Sequence, residues 1–302
     1  MLSCLCLLSI MPLFNEFDYW LVDILSNFPI QYALAALLLF IISLRKKVLS
    51  LAFFAAVLFV LNISVFSDSG VSVQAAARKH ETFTLYSANI QKTNKNFYRL
   101  VAGLKETNAD ILFLLEVTEE SIDPLQSVIR TYPYHYVNLN LGESGTGAVL
   151  MSKFPIVNSK VIKYSEHGNM LVKATLDINN NKVMFYGVHL PRPAYADEYS
   201  MRSEQALSLA EQIGVQSVPV ILAGDLNSSP YTPIFKQLLK RSGLKDSREG
   251  FGWQPSWPTY FPLLWLPIDH IFVSTEIRVH NRATGTYLGS DHYPVFAELS
   301  ID

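Results

Sequence analysis

Asp225 and Asn227 follow the apolar run 218–222 in the stretch Ala223-Gly224-Asp225-Leu226-Asn227-Ser228-Ser229-Pro230. Side chains at i and i+2 of an extended segment share one face, so a carboxylate and an amide reach the same small polar target, a phosphate or a metal-bound water. The end of a buried strand is also where α/β folds place their chemistry. The same GDxN pattern makes ordinary Asx turns, so the pair gains meaning only from its company. That company is Asn89 after 83–88, Glu116 after 111–115, His189 after 182–188, then Asp269-His270 and Ser290-Asp291-His292. Each has a structural reading by itself: Asn89 as a turn cap, Glu116 as a helix cap near Thr118, His189 as a strand end before Pro191. Ten polar residues in seven places, each place following or abutting an apolar strand, point instead to one shared rim.

The elements that must hold this rim alternate between periods of two and 3.6. Strands are predicted over 83–88, 111–115, 147–151, 170–178, 182–188, 218–223, 268–273 and 295–299, and helices over 96–107, 198–216 and 234–242. The strands are too many and too unevenly spaced for a simple doubly wound sheet. An α/β fold of two packed sheets with helices outside accommodates them better.

The first eighty residues differ from the rest. The chain of 302 residues is 50% apolar, with a mean hydropathy of +0.21, and much of that excess lies before Phe66. The run 48–66 has no charged residue and is long enough to span a bilayer as a helix. A second run, 29–44, extends back toward Trp20 only across Asp23, Ser26 and Asn27, and a third, 2–14, is short for a span. The expected organisation is a membrane anchor over 1–66 with helices about 2–14, 21–44 and 48–66, a polar tether over 67–79, and a catalytic domain over 80–302. Arg45-Lys46-Lys47 lies in the turn between the two clearest spans, and basic clusters of this kind stay cytoplasmic. The catalytic domain is therefore expected on the extracytoplasmic side of a bacterial inner membrane. A cleaved signal peptide is the rival reading, but the apolar run is too long and too internal for one. Cys4 and Cys6 both precede the domain, which fits an oxidising compartment. From His80 onward 19 basic residues face 22 acidic ones, a balance of about −3, which does not favour tight nucleic-acid binding.

Taken in order, SANI at Asn89, LLEV at Glu116, GAVLMSKFPI from Gly147, GVHL at His189, GDLN at Asp225, PIDHIFVS at Asp269 and SDHYPV at Asp291 resemble the endonuclease/exonuclease/phosphatase superfamily over roughly 80–301. The resemblance implies a four-layered sandwich, two mixed sheets flanked by helices, and a phosphoester hydrolase using Mg²⁺ or Mn²⁺. It further implies that Glu116 binds the metal, with Asn89 as ligand or phosphate contact and Asp291 as a ligand to the metal or its water. His292 would be the general base, oriented by Asp269, a pairing that fixes the tautomer and raises basicity. Asp225 and Asn227 would position the water and a phosphoryl oxygen, and His189 would bond the phosphate. Few carboxylates and several waters suit Mg²⁺.

Other residues are weighed against this set. His270, next to Asp269 on a strand, belongs on the opposite face. Arg192 is either an exposed loop residue or a substrate phosphate contact. Arg202 and Gln205 are expected to tie the long helix to the sheet, and Tyr134 is a poorly registered candidate beside Tyr132 and Tyr136. The loop 251–266, with Trp253, Trp257, Tyr260, Phe261, Leu263, Leu264 and Trp265, is either a cover for the sheet or a lipid-facing surface beside the site. The substrate alternatives are a phospholipid or other small phosphodiester, sphingomyelinase-like, and extracytoplasmic DNA. An inactive membrane scaffold is the third reading, disfavoured because buried polar clusters are costly without a role. No protein partner is inferred.

Overall fold

The computed structural model describes residues 19–66, 81–139, 146–163 and 170–302. The run 2–14 and the tether 67–79 lie outside the described residues. From Phe83 onward the elements are β1 (Phe83–Asn89), α4 (Phe97–Thr107), β2 (Ile111–Val117), α5 (Glu119–Ile129), β3 (Tyr134–Asn138), β4 (Gly147–Ser152), β5 (Ile156–Lys163), β6 (Met170–Ile178), β7 (Asn181–His189), α6 (Ala196–Gly214), β8 (Val220–Asp225), α7 (Pro233–Ser242), β9 (Lys245–Asp246), β10 (Asp269–Val273), β11 (Ile277–Thr284) and β12 (Val295–Ile301). They are preceded by α1 (Trp20–Ser26), α2 (Pro29–Arg45) and α3 (Leu49–Ser64).

Among the described residues twelve strands form two six-stranded sheets, ordered β11-β12-β1-β2-β4-β3 and β5-β6-β7-β8-β10-β9. Both are mixed, because α4 and α6 each return the chain to a parallel neighbour, β1 to β2 and β7 to β8. Phe83, Leu85, Phe113, Phe185, Ile221 and Ile271 fill the space between the sheets. Alternation then sends Tyr86, Leu112 and Leu114 outward against Leu100, Leu104 and Leu125 of α4 and α5. On the second sheet Tyr186 and Leu222 meet Ala206, Leu209 and Leu238 of α6 and α7. The result is the four-layered sandwich, with β1, β2, β7 and β8 buried on both faces, as their near-continuous apolar runs require.

The apolar amino-terminal stretch breaks where the sequence suggests one helix over 21–44. Pro29 starts α2 at its first turn, where proline is favoured, and α1 and α2 meet at 66°. Among the described residues no single helix is long and apolar enough to cross a membrane; only the bent α1–α2 pair reaches that length and composition. α1 does not stand apart from the catalytic layers: its Asp23 is fully buried and ion-paired with Arg202 of α6. α2 and α3 pack on each other and leave Leu34, Leu38, Leu49, Phe53 and Val60 exposed.

Candidate active site

Strand register brings the polar strand ends together. On the first sheet Asn89 pairs with Leu115 across β1 and β2, so Glu116 stands one residue beyond. On the second, His189 and Asp269 both pair with Asp225, from β7 and β10 on either side of β8. Gly224 makes room for this crowding: its φ is +141°, and a Cβ there would sit 1.9 Å from the Val188 carbonyl oxygen. Glu116 is the extra residue of a bulge, since β2 advances from Leu115 to Val117 while β4 moves one residue. Its φ of +57° re-aims the side chain out of the pleat, at a conformational cost of roughly 1–3 kcal/mol.

Asn89 links the two sheets. Its Nδ2 donates to Glu116 Oε1 at 2.9 Å and to Asp225 Oδ2 at 3.1 Å, and its Oδ1 accepts from the Gln91 amide at 3.0 Å. Glu116 Oε2 accepts from the Lys92 amide at 2.9 Å. His189 Nε2 lies 3.6 Å from Asp225 Oδ2 and 3.8 Å from Glu116 Oε1. His292 Nδ1 is 2.7 Å from Asp269 Oδ2, and its Nε2 is 3.8 Å from Asp225 Oδ2. An ionised carboxylate only accepts, so Nδ1 carries the proton of that bond and Nε2 faces the site. Asn227, at φ +49°, bonds Asp225 Oδ1 through its backbone N–H at 2.8 Å and the Leu190 carbonyl through Nδ2 at 2.9 Å.

The charges interact strongly. Burial pushes the Glu116 carboxyl up, but His189, the Lys92 amide, Asn89 and His292 together hold it below its ordinary value. Burial and the nearby Asp269 carboxylate push Asp225 up to about 6. Burial works against protonation of His292, yet Asp269 and Asp225 override it and lift the ring to about 10. Asp269, buried but paired with that ring, is lowered. Asp225, Asp269 and His292 offer ligand atoms within 4.8 Å of one another. Because Asp269 and His292 already satisfy each other, the oxygens best placed for a cation are those of Glu116 and Asp225, which share the Asn89 amide. Hard carboxylate donors suit a divalent cation of the Mg²⁺ type.

Of the remaining candidates, Asp291 binds the Gln91 Oε1 through its N–H at 3.1 Å and accepts from Trp257 Nε1 at 3.3 Å. Arg192 is exposed on the loop after His189. His270 turns away, as alternation requires: fully buried, held below its ordinary value at about 4 by burial, it bonds the Ser228 carbonyl at 2.8 Å and meets the Phe235 ring edge-to-face. Tyr132 is occupied at the Ala109 carbonyl, whereas Tyr134 stays exposed on β3. Four supporting residues receive no role at the site from the sequence. Gln91 and Trp257 hold Asp291, Ser256 Oγ accepts from the Asp269 amide at 3.1 Å, and Ser290 Oγ bonds both the Asn89 carbonyl and the His292 amide. Only Ser290, inside SDHYPV, stands in a motif that could have drawn attention to it.

The profile of the Endonuclease/Exonuclease/phosphatase family matches residues 86–292, from β1 through His292. The chain belongs to the endonuclease/exonuclease/phosphatase family. It is accordingly a metal-dependent phosphoric ester hydrolase. Solved structures share the family fold at low identity. D. rerio TDP2 complexed with single-strand DNA product is 18% identical, with a TM-score of 0.61 over 73% of this chain and 99% of that one. TDP2 from Caenorhabditis elegans is 22% identical, with a TM-score of 0.60 over 82% and 89%. The mannosyl-6-phosphatase of Bacteroides thetaiotaomicron is 18% identical, with a TM-score of 0.60 over 72% and 100%. No curated protein matches the sequence.

Proposed function

We propose that this family member is a membrane-anchored, Mg²⁺-dependent phosphodiesterase, and that its substrate is a phosphodiester presented at a bilayer surface. The observation that carries the hydrolytic part is the Asp269–His292 bond at 2.7 Å with Nε2 turned toward Asp225. In this reading Asp269 holds the tautomer, and His292 Nε2 takes the proton of the attacking water. Asp225 and Asn227 position that water and a phosphoryl oxygen, and His189 donates to the phosphate. Glu116, beside Asp225, would hold the cation and Asp291 would be a further ligand on the metal side, while Asn89 orients the carboxylates and exposed Arg192 meets the distal part of the substrate. When bound, the cation supplies charge stabilisation at phosphorus and offsets the carboxylates that hold the His292 proton.

The bilayer part is supported by the exposed apolar faces of α2 and α3, by the basic turn between them, and by the loop 251–266. Gln31 of α2 donates to the Leu263 carbonyl at 3.2 Å, so the base of the hairpin adjoins the exposed Tyr260, Phe261, Leu263 and Leu264. The same loop reaches the site through Trp257 and Asp291. With Arg45-Lys46-Lys47 in the cytoplasm, the catalytic layers stand on the extracytoplasmic side. Single-stranded DNA product on D. rerio TDP2 favours nucleic acid as the second reading. The test incubates the whole chain in detergent micelles with phospholipid vesicles and, separately, with supercoiled plasmid, with and without Mg²⁺, beside His292→Ala. Headgroup phosphate release that needs both Mg²⁺ and His292 supports the first reading. Nicking of plasmid alone transfers the function to DNA.

A further inference from the structure

We infer that α1, which precedes the residues matched by the family, is a working part of the active site: Asp23 and Asn27 position the loop that follows Asp225 at the end of β8 and carries Asn227. The inference rests on the role given to that loop above. Asn227 holds a left-handed backbone, φ +49°, which Asn enters more readily than other non-glycine residues. Beyond its own side chain, the loop is fixed at three successive residues. His270 Nε2 bonds the Ser228 carbonyl at 2.8 Å, Arg202 Nη1 donates to the Asn227 carbonyl at 2.6 Å, and Asn27 Oδ1 accepts from the Ser229 amide at 2.9 Å.

Two of those three supports run through α1. Arg202 is completely buried, and a guanidinium holds such a position only with a counter-charge. Asp23, equally buried, supplies it at Nη2. Asn27 ends the same helix. Its Nδ2 is occupied by the carbonyls of Asp23 and Ile24 at 3.0 and 3.1 Å, which leaves its oxygen aimed at Ser229. Trp20 Nε1 donates to the Pro193 carbonyl at 3.0 Å and so steadies the other loop of the rim, the one after His189. A seven-residue helix that only covered apolar surface would not need an aspartate, an asparagine and an indole N–H aimed at backbone on both sides of the site. The anchor and the catalytic centre are therefore mechanically joined.

The test uses the full chain in detergent micelles with bis(p-nitrophenyl) phosphate and Mg²⁺, and compares Asn27→Ala, the double variant Asp23→Asn with Arg202→Gln, and His292→Ala. The double variant leaves no unpaired buried charge. Both loop-support variants are expected to unfold cooperatively, with kcat lowered about tenfold and KM within twofold of wild type. Hydrogen exchange, read without metal, is expected to speed up at the amides of 227–229 and stay unchanged over β8. Folded variants with kcat within twofold of wild type and unaltered exchange overturn the inference. Should the double variant fail to fold, Asn27→Ala alone decides. A fully active His292→Ala would instead overturn the site reading, and the exchange data would still judge the clamp.

Discussion

The two carboxylates nearest His292 are in opposite electrostatic situations, and this makes separate predictions. Asp269 faces the ring at 2.7 Å and is lowered, whereas Asp225 is pushed up to about 6 by burial and by Asp269. Asp269→Asn removes the strongest support for the protonated ring, so the His292 titration seen by imidazole NMR should move down from about 10. Hydrolysis should fall by roughly 10²-fold or more, because the tautomer is no longer fixed. Asp225→Asn should abolish hydrolysis yet stabilise the metal-free protein. The folded Asp225 value lies above the ordinary 3.8, so the stability linked to its proton is present below about pH 4 and lost as pH rises through about 6. The asparagine mimics the protonated form. Its unfolding free energy should match wild type near pH 4 and exceed it above pH 6, by an amount on the order of 1–3 kcal/mol. Thermal scans across that window check it.

At the scale of elements, the site depends on backbone positions that side-chain chemistry does not reveal. Gly224→Ala places a Cβ 1.9 Å from the Val188 carbonyl oxygen at φ +141°. It should force β7 and β8 apart and destabilise the fold by roughly 2–4 kcal/mol, by analogy with strain and overpacking in a filled core. Urea unfolding measures this, and a loss under 1 kcal/mol would mean the strands shift freely. The glycine is visible in the GDLN motif, but its reason is the close approach of β7. Much else was legible. The long apolar strands and α4, α6 and α7 lie within a few residues of their predicted places, because burial on both faces leaves unbroken apolar runs. α5, β3, β5 and β11 were not. α5 carries Pro124 within it, and the three strands are edge strands, whose exposed faces weaken the alternation. The site residues were readable as strand ends, but the bulge at Glu116 and the supports from Gln91, Ser256 and Trp257 arise from tertiary contacts with no local pattern.

At the scale of the whole molecule, the sequence suggests a tethered domain, and the structure joins the amino-terminal helices to it directly. Asp23→Ala leaves the Arg202 guanidinium buried without its counter-charge, so the full chain should lose about 3–5 kcal/mol in urea unfolding. The hairpin α2–α3 meets the catalytic layers beside the loop whose Tyr260 is 73% and Leu263 68% exposed. If that loop rests on lipid, replacing Tyr260, Leu263 and Leu264 with serine removes apolar contacts worth roughly 1–2 kcal/mol each at the interface. Trp257 and Trp265 are poorer probes, since Trp257 bonds Asp291 and Trp265 packs on Tyr293. The triple serine variant should hydrolyse vesicle-borne phosphodiesters at least tenfold more slowly while cleaving bis(p-nitrophenyl) phosphate at the wild-type rate, because the loop tip touches no reacting group. Equal losses on both substrates would mean that the tip supports the site. No loss on either would leave the exposed side chains without a lipid role and shift the balance toward the nucleic-acid reading.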